Sequence, residues 1–112
     1  MVSRIVDCNV RSESLTQFKT TLAERFIPQI KQQPGFVDLV ESVDSETGHF
    51  VCMTLWKTKE DVSRYDGGLF QEIAGTLGPL MKEAPAVHTM TVENAPTHNV
   101  VRGEETAQAT AA

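Results

Sequence analysis

The stretch Pro34–Tyr65, PGFVDLVESVDSETGHFVCMTLWKTKEDVSRY, decides the fold of this chain. Its pattern predicts a helix stop at Pro34-Gly35, a strand, a turn, a second strand and the start of a new helix. The only tryptophan, Trp56, stands where the second strand ends. A two-stranded hairpin buries little apolar surface by itself, so it needs a helix layer to cover it. We interpret the remainder of the chain as that cover.

The hairpin is predicted from alternating apolar residues on both sides of a turn. Residues 36–43 form its first strand, and residues 44–48, DSETG, have turn composition with Gly48 free to take a positive φ. Residues 49–56, HFVCMTLW, are apolar on both faces, which predicts that both faces are covered. Helices can cover one face in so short a chain, and a second subunit is the simplest cover for the other.

The flanking segments supply the helices and the outer strands. Residues 2–10, VSRIVDCNV, alternate with a break at Arg4 and Ile5 and predict a strand. Residues 14–27 carry an apolar stripe at helical spacing and predict a helix that Pro28 kinks or ends. Ser14 followed by Gln17 fits a capping box at its start.

The second half repeats this organisation. Thr58 followed by Asp61 opens a short helix, and Gly67-Gly68 breaks it before a second helical stripe over 69–81. Residues 86–93, AVHTMTVE, predict the last strand. The order β-α-β-β-α-β predicts an α+β, ferredoxin-like fold: a four-stranded antiparallel sheet with helices on one face.

Composition limits the possible partners. The chain of 112 residues has 40% hydrophobic and 22% charged residues and a net charge of −5, which is ordinary for one globular domain. An acidic chain without a Lys/Arg cluster is not expected to bind nucleic acid or anionic membranes. We expect a cytoplasmic protein, since the N-terminus resembles no signal peptide and no apolar run approaches a membrane span. Residues 1–95 form the predicted domain and 96–112 a flexible, polar tail.

The cysteines and the short motifs predict neither a metal nor a cofactor. Cys8 and Cys52 are expected as free buried thiols, and no C-x-x-C or Cys/His cluster is present. No Gly-rich phosphate loop and no flavin or nicotinamide fingerprint occurs.

At this point the motifs resemble those of the antibiotic biosynthesis monooxygenase family. The resemblance covers roughly residues 2–93 and rests on five features, which are the strand ending in Asn9, Gln33-Pro34-Gly35-Phe36 after a helix, Thr54-Leu55-Trp56-Lys57-Thr58, Tyr65, and Leu69-Phe70. It implies a dimeric α/β barrel in which two sheets pack face to face. It also implies a ligand pocket within each subunit, between sheet and helices.

Alternation assigns the strand residues to faces. If Trp56 faces the helices, so do Thr54, Cys52 and Phe50, while His49, Val51, Met53 and Leu55 face the partner sheet. On the first strand, placing Val6, Cys8 and Val10 against the partner puts Asn9 and Asp7 beside Trp56 in the pocket. Cys8 and Cys52 would then lie on opposite faces of the sheet, which argues against a disulfide between them.

Asn9 and Trp56 are the first two catalytic candidates. The resemblance implies that the Asn9 amide holds a carbonyl or a bound oxygen species; the alternative is a side chain that satisfies turn backbone. Trp56 matches the family's pocket tryptophan and would orient a planar substrate. Its alternative role is a core tryptophan whose indole N–H is satisfied locally.

The other candidates complete a pocket. His88 could transfer a proton as a base, although a lone strand histidine is more often structural. Tyr65 could donate a hydrogen bond to a substrate oxygen, or could carry a hydroxyl in water on an amphipathic helix. The predicted apolar walls of the pocket are Phe50, Trp56, Phe70, Ile73 and Leu77.

One departure from the resemblance limits the chemistry. The haem-degrading branch supplies an axial histidine from the helix after the tryptophan strand, where this chain reads Phe70-Gln71-Glu72-Ile73-Ala74. Haem degradation of that kind is therefore not expected. The resulting hypothesis is a cofactor-independent monooxygenase that acts on a small aromatic or quinol-like substrate. The rival is a non-catalytic dimeric module that binds a small apolar metabolite or serves in a stress response.

Overall fold

The computed structural model describes residues 1–106. Its main elements follow in the predicted order: β1 Val2–Asn9, α1 Leu15–Thr21, α2 Ile27–Ile30, β2 Phe36–Asp44, β3 His49–Trp56, α3 Lys59–Gly67, α4 Leu69–Leu77 and β4 Ala86–Thr91. Short 3₁₀ turns at Ser12–Ser14 and Gly78–Leu80 flank the helices. The order in the sheet is β2-β3-β1-β4 with every neighbour antiparallel, which confirms the α+β, ferredoxin-like prediction.

The first helix runs through Pro28 instead of ending there. A π turn, Leu22–Phe26, joins α1 to α2, and the N–H of Ile27 donates to the carbonyl of Leu22, five residues back. Proline has no N–H and its ring crowds the carbonyl four residues earlier, and the wider turn accommodates both problems. The capping-box prediction is wrong: the Ser14 side chain caps nothing, since the turn Ser12–Ser14 already leads into the helix.

The predicted turns are confirmed where they close the hairpin and open α3. Gly48 has φ +80°, and a Cβ there would lie 2.3 Å from the carbonyl oxygen of Val10, so only glycine fits. Thr58 caps α3 by accepting a hydrogen bond from the Asp61 N–H at 3.1 Å. Both features fix where β3 begins and where the chain returns over the sheet.

Register corrects the face assignment of β1. Val2, Arg4, Val6 and Cys8 lie opposite Trp56, Thr54, Cys52 and Phe50 respectively. Directly opposed residues of an antiparallel pair project to the same face, so this series faces the helices. The placement of Asn9 and Asp7 beside Trp56 is therefore wrong.

We call the helix-covered side of the four-stranded sheet the inner face and the opposite side the outer face. Because the series that contains Cys8 lies on the inner face, Cys8 and Cys52 share that face, and the predicted separation of the two cysteines is also wrong. Both thiols are free, as expected.

The segment after β4 adds a second, small sheet. Asn94–Ala95, Val100–Val101 and Glu104–Glu105 pair as three antiparallel strands, β5, β6 and β7. Val100 is fully buried and packs with Leu55 on the outer face. The expected flexible tail is therefore folded through residue 106, because a buried valine anchors it. The rest of that predicted tail, 107–112, lies outside the described residues.

The main core fills the space between the inner face and the helices. Its largest fully buried side chains are Trp56, Phe18, Phe26, Leu77 and Val10. The ring centroid of Phe18 lies 5.0 Å from that of Phe50, edge to face, and joins the first helix to the sheet. Within residues 1–106, the helices are too short and too polar for a membrane span. The cytoplasmic location stays a prediction.

Candidate functional site

A cavity of ≈ 80 Å³ lies between the inner face and the helices. The sheet contributes one wall through Arg4, Val6, Cys8, Phe50, Cys52 and Thr54. The first helix closes one side through Phe18, Leu22 and Ile30, and α3 and α4 close the other. The lining is apolar apart from a few side chains, so the cavity disfavours charged groups that lack a partner.

The five residues predicted to bind the substrate all border this cavity: Phe50, Tyr65, Phe70, Ile73 and Leu77. Phe50 reaches it from the inner face of β3, and Tyr65 from the buried side of α3. The other three share one side of α4, where spacings of three and four residues bring them together. Helical periodicity was sufficient to group them.

Two of the three catalytic candidates lie away from the cavity. Asn9 projects from the outer face, and its Nδ2 donates to Glu83 Oε1 at 2.8 Å near the surface. His88 lies opposite Ile5 on the edge strand β4, and its side chain is exposed. Neither residue can reach a ligand held between the sheet and the helices of the same subunit.

Trp56 is buried behind the cavity wall. Its indole N–H donates to Thr54 Oγ1 at 2.8 Å, so the local partner considered above is present. Its ring centroid lies 4.8 Å from that of Tyr65, which stands between it and the cavity. Trp56 therefore supports the position of Tyr65 and does not itself line the cavity.

The residue that sequence reasoning missed is Arg4. Only 2% of Arg4 is exposed, and its Nε donates to Asp66 Oδ1 at 2.7 Å. Its guanidinium carbon lies 4.1 Å from the ring centroid of Phe70 and 5.2 Å from that of Tyr65, within cation–π range. Arg4 keeps the phase of Val2 and Val6, which was the signal that it points inward.

One buried nitrogen of Arg4 has no partner. Its Nη2 is buried and makes no hydrogen bond, and no other buried side-chain nitrogen or oxygen among residues 1–106 shares this state. Among those residues, Arg4 is also the one charged side chain in the lining of the cavity.

The remaining titratable groups of the cavity stay neutral near pH 7. Burial raises the pKa of Cys8 to about 11, with further contributions from Asp7 and Glu83. Burial also raises the pKa of Cys52 to about 12 and raises that of Tyr65. The two thiols are poor nucleophiles in this state, and the Tyr65 hydroxyl keeps its proton and can donate it in a hydrogen bond.

Metal ligation is not evident in the described chain. Residues 1–106 contain no group of three or more His, Cys, Asp or Glu side chains that could hold an ion. The cavity is also far smaller than the roughly 300–1,000 Å³ typical of sites for drug-sized ligands and cofactors.

Many solved structures with the same fold are named as antibiotic biosynthesis monooxygenases, the family that the sequence motifs resemble. One antibiotic biosynthesis monooxygenase superposes with a TM-score of 0.71 at 17% identity, over 82% of this chain and 98% of that chain. A mutant of SnoaB, a cofactor-independent oxygenase from Streptomyces nogalater, gives 0.72 at 19% identity over 84% and 94%. A monooxygenase from the gene ActVA-Orf6 of Streptomyces coelicolor, in complex with nanaomycin D, gives 0.72 at 16% over 84% and 88%.

No family model and no curated protein matches the chain. Identities below one fifth establish the shared fold and leave the activity to be argued from the site.

Proposed function

We propose that this protein is a cofactor-independent monooxygenase that acts on a small aromatic or quinol-like substrate in the cavity between sheet and helices. The observation that carries this proposal is an apolar, aromatic-lined cavity with one buried cation and one protonated tyrosine. SnoaB and the ActVA-Orf6 protein, which have the same fold, are named as a cofactor-independent oxygenase and a monooxygenase. Their names support the reaction class.

The reaction class places the electron source in the substrate. When a CH₂ group next to an aromatic ring becomes a carbonyl, one atom of dioxygen enters the product and the other leaves in water. All four electrons come from the substrate, so the atoms balance without a flavin or a metal. The protein would hold the substrate anion and exclude water, and the Tyr65 hydroxyl would donate a hydrogen bond to a substrate oxygen.

Cavity size favours a small substrate. An engineered cavity of roughly 150 Å³ is known to bind benzene, and this cavity is smaller. Even one ring therefore requires the wall to move, and the ring of Phe70, which is only partly buried, is the side chain best placed to do so. Rotation of that ring would enlarge the cavity while the sheet wall stays fixed.

We also propose that two copies pack through their outer faces. Val40, Met53, Ile5 and His88 stand in register across all four strands of that face. Val40 is 51% exposed, and the outward Met90 nearby is 49% exposed. Contiguous exposed apolar side chains on a sheet favour association. Sedimentation of a monomer at micromolar concentration would contradict this assembly.

The rival function, a non-catalytic binding module, is favoured by one observation. Of residues 1–106, none that lines the cavity can accept a proton near pH 7, because the cysteines and Tyr65 are protonated and Arg4 keeps its charge. A module that only binds a metabolite needs no base. The oxygenase instead requires that substrate ionisation occur without one.

Oxygen uptake separates the two functions. Purified protein is mixed with an anthrone and with a hydroquinone, and dioxygen consumption is followed together with product formation. The oxygenase predicts uptake above buffer, with one dioxygen consumed per carbonyl formed. The absence of uptake across the panel, with ligand binding retained, would establish the binding module instead.

A cavity-filling variant tests whether the cavity is the site. Ile73→Trp places a large ring in the cavity and should abolish uptake, since Ile73 is a buried lining residue. Thr76→Trp adds the same ring to the same helix at a position outside the lining and is the matched control. Equal activity of both variants would place the reaction elsewhere.

A further inference from the structure

Arg4, a residue that lines the cavity, has a buried Nη2 without a hydrogen-bond partner. Leaving a charged donor buried without a hydrogen bond costs the folded state more than a neutral donor would. A protein retains such a group where a function, such as the binding of a ligand, requires the charged donor. The wall that carries it borders the largely apolar cavity, so a ligand in that cavity is the natural partner.

The guanidinium is also fixed in place. Asp66 accepts from Nε at 2.7 Å, and the rings of Phe70 and Tyr65 lie against the guanidinium carbon. Arg4 itself stands on β1, a central strand of the sheet. The ion pair with Asp66 and the contact with Tyr65 therefore hold the guanidinium in place when the ring of Phe70 rotates.

A positive field persists despite the ion pair. The Asp66 side chain is 41% exposed, so water screens its charge, whereas the Arg4 side chain is 3% exposed. Arginine keeps its proton at any physiological pH. An anion in the cavity would thus meet a charged donor through a medium of low dielectric, where such bonds are strongest.

We propose that Arg4 Nη2 binds the anionic oxygen of the cavity's ligand, which is a small apolar acid whose acidic group is a phenol or a carboxylic acid. The proposal rests on the proposed function for the cavity as the ligand site, but not on the oxygen chemistry. Binding lowers the pKa of the ligand, and its proton leaves to water or buffer. A phenolic substrate then ionises without a protein base, which resolves the difficulty that no lining residue can accept its proton.

Arg25 provides a matched comparison on the surface. Its Nη2 donates to Glu72 Oε1 at 3.0 Å, and its guanidinium carbon lies 4.7 Å from the ring centroid of Phe26. The Arg25 side chain is half exposed, so water solvates its donors. The two arginines share an ion pair and an aromatic contact and differ in burial, so Arg25→Met controls for the loss of charge.

The test uses 4-nitrophenol, whose anion absorbs visible light, and measures the pKa of the bound probe by absorbance against pH. We expect the bound pKa to fall by at least one unit, a roughly tenfold preference for the anion. Arg4→Met should abolish the shift, Arg4→Lys should keep part of it, and Arg25→Met should leave it unchanged. Nitrobenzene, which carries no acidic group, should bind the wild type and Arg4→Met alike.

Calorimetry with benzoate distinguishes the two acid classes. Tight binding of benzoate together with a small pKa shift of bound 4-nitrophenol would indicate that the ligand is a carboxylic acid. Weak binding of benzoate together with a large pKa shift would indicate a phenol. An unshifted pKa of bound nitrophenol together with weak benzoate binding would overturn the proposal, even if Arg4→Met fails to fold, because this readout needs only the wild type. A retained shift without oxygen uptake would refute the oxygenase and leave the anion site standing.

Discussion

The two faces of the four-stranded sheet are built from the same strands and have opposite characters. The inner face is sealed along its two central strands, β3 and β1: Phe50, Thr54 and Trp56 are buried beneath the helices, and even the cation Arg4 is enclosed. The outer face carries apolar side chains too, but Val40 stands about half in water. Composition alone does not separate them, since β3 carries apolar residues on both faces. The two faces differ because the helices cover the side of the sheet to which the even-numbered residues of β1 project.

The difference teaches that a single register choice sets the chemistry of the cavity. One phase of β1 brings Arg4, Val6 and Cys8 inward, and the other would bring Asp7 and Asn9. The first gives a cationic, anion-accepting cavity, and the second would give an amide-lined one with a carboxylate. A shift of one residue exchanges every side chain between the faces. The following experiments test this contrast in order of expected effect.

The largest contrast should come from truncating the most buried side chain of the inner face. Trp56→Ala should lower the free energy of unfolding by about 3–5 kcal/mol, because it leaves a large hole and frees the Thr54 hydroxyl from its donor. Urea denaturation measures this free energy. Unfolding is followed by far-ultraviolet circular dichroism, because the variant lacks the only tryptophan and its fluorescence. Met90→Ala on the outer face is the control, and at protein concentrations low enough to keep the chain monomeric it should change the free energy of unfolding by about 0.5 kcal/mol or less. Equal losses in the monomer would mean that the outer face is buried within the subunit as well.

A charge on the outer face should break the proposed dimer. Met53→Glu places carboxylates at the centre of the row of outward apolar side chains, and we expect association to weaken by about 3 kcal/mol, more than a hundredfold. Sedimentation velocity across a concentration series reads out the dissociation constant. Ser45→Glu, in the exposed hairpin turn, adds the same charge and should leave assembly unchanged. An unaltered dimer in Met53→Glu would place the interface elsewhere.

The smallest effect is the alkaline loss of stability from an inner-face thiol. The pKa of Cys8 is about 11 in the folded protein against 9.0 for an ordinary thiol, so the unfolded chain ionises first as the pH rises. The contribution of this thiol to the free energy of unfolding is full below pH 9 and is lost between pH 9 and pH 11. At pH 10 the loss is about 1 kcal/mol. Urea denaturation measures the free energy of unfolding at pH 8 and at pH 10. The difference between these two free energies should be smaller for Cys8→Ala than for the wild type. The same pH dependence in both proteins would mean that the thiol is not buried.

The strand and helix order followed from the sequence because each element carries a local signal. Gly48 and Thr58 fix turns through their own backbone requirements, and the apolar stripe of α4 grouped Phe70, Ile73 and Leu77. The orientation of β1 did not follow, since alternation defines two faces without saying which one the helices cover. Asn9 was predicted to point inward because the apolar face with Val6 was assigned to the partner subunit, and Arg4, in phase with Val6, was interpreted only as a break in the alternation.

The C-terminal segment was missed for a different reason. Its composition from Pro96 onward is polar, which is typical of disordered chain. One valine, Val100, reaches Leu55 and Val92 across the outer face and orders the segment through burial. A contact between residues so far apart in the chain has no local sequence signal.

The π turn at Leu22–Phe26 acts as a phase correction for the first helix. Phe18, Leu22, Phe26 and Ile30 recur every four residues, and all four are buried. In an uninterrupted α-helix such a series drifts by about 40° at each step, so its ends would point about 120° apart. The wider turn absorbs much of that rotation and keeps the stripe on one side of the helix. One residue more or fewer in this segment would turn Ile30 away from the cavity that it helps to close.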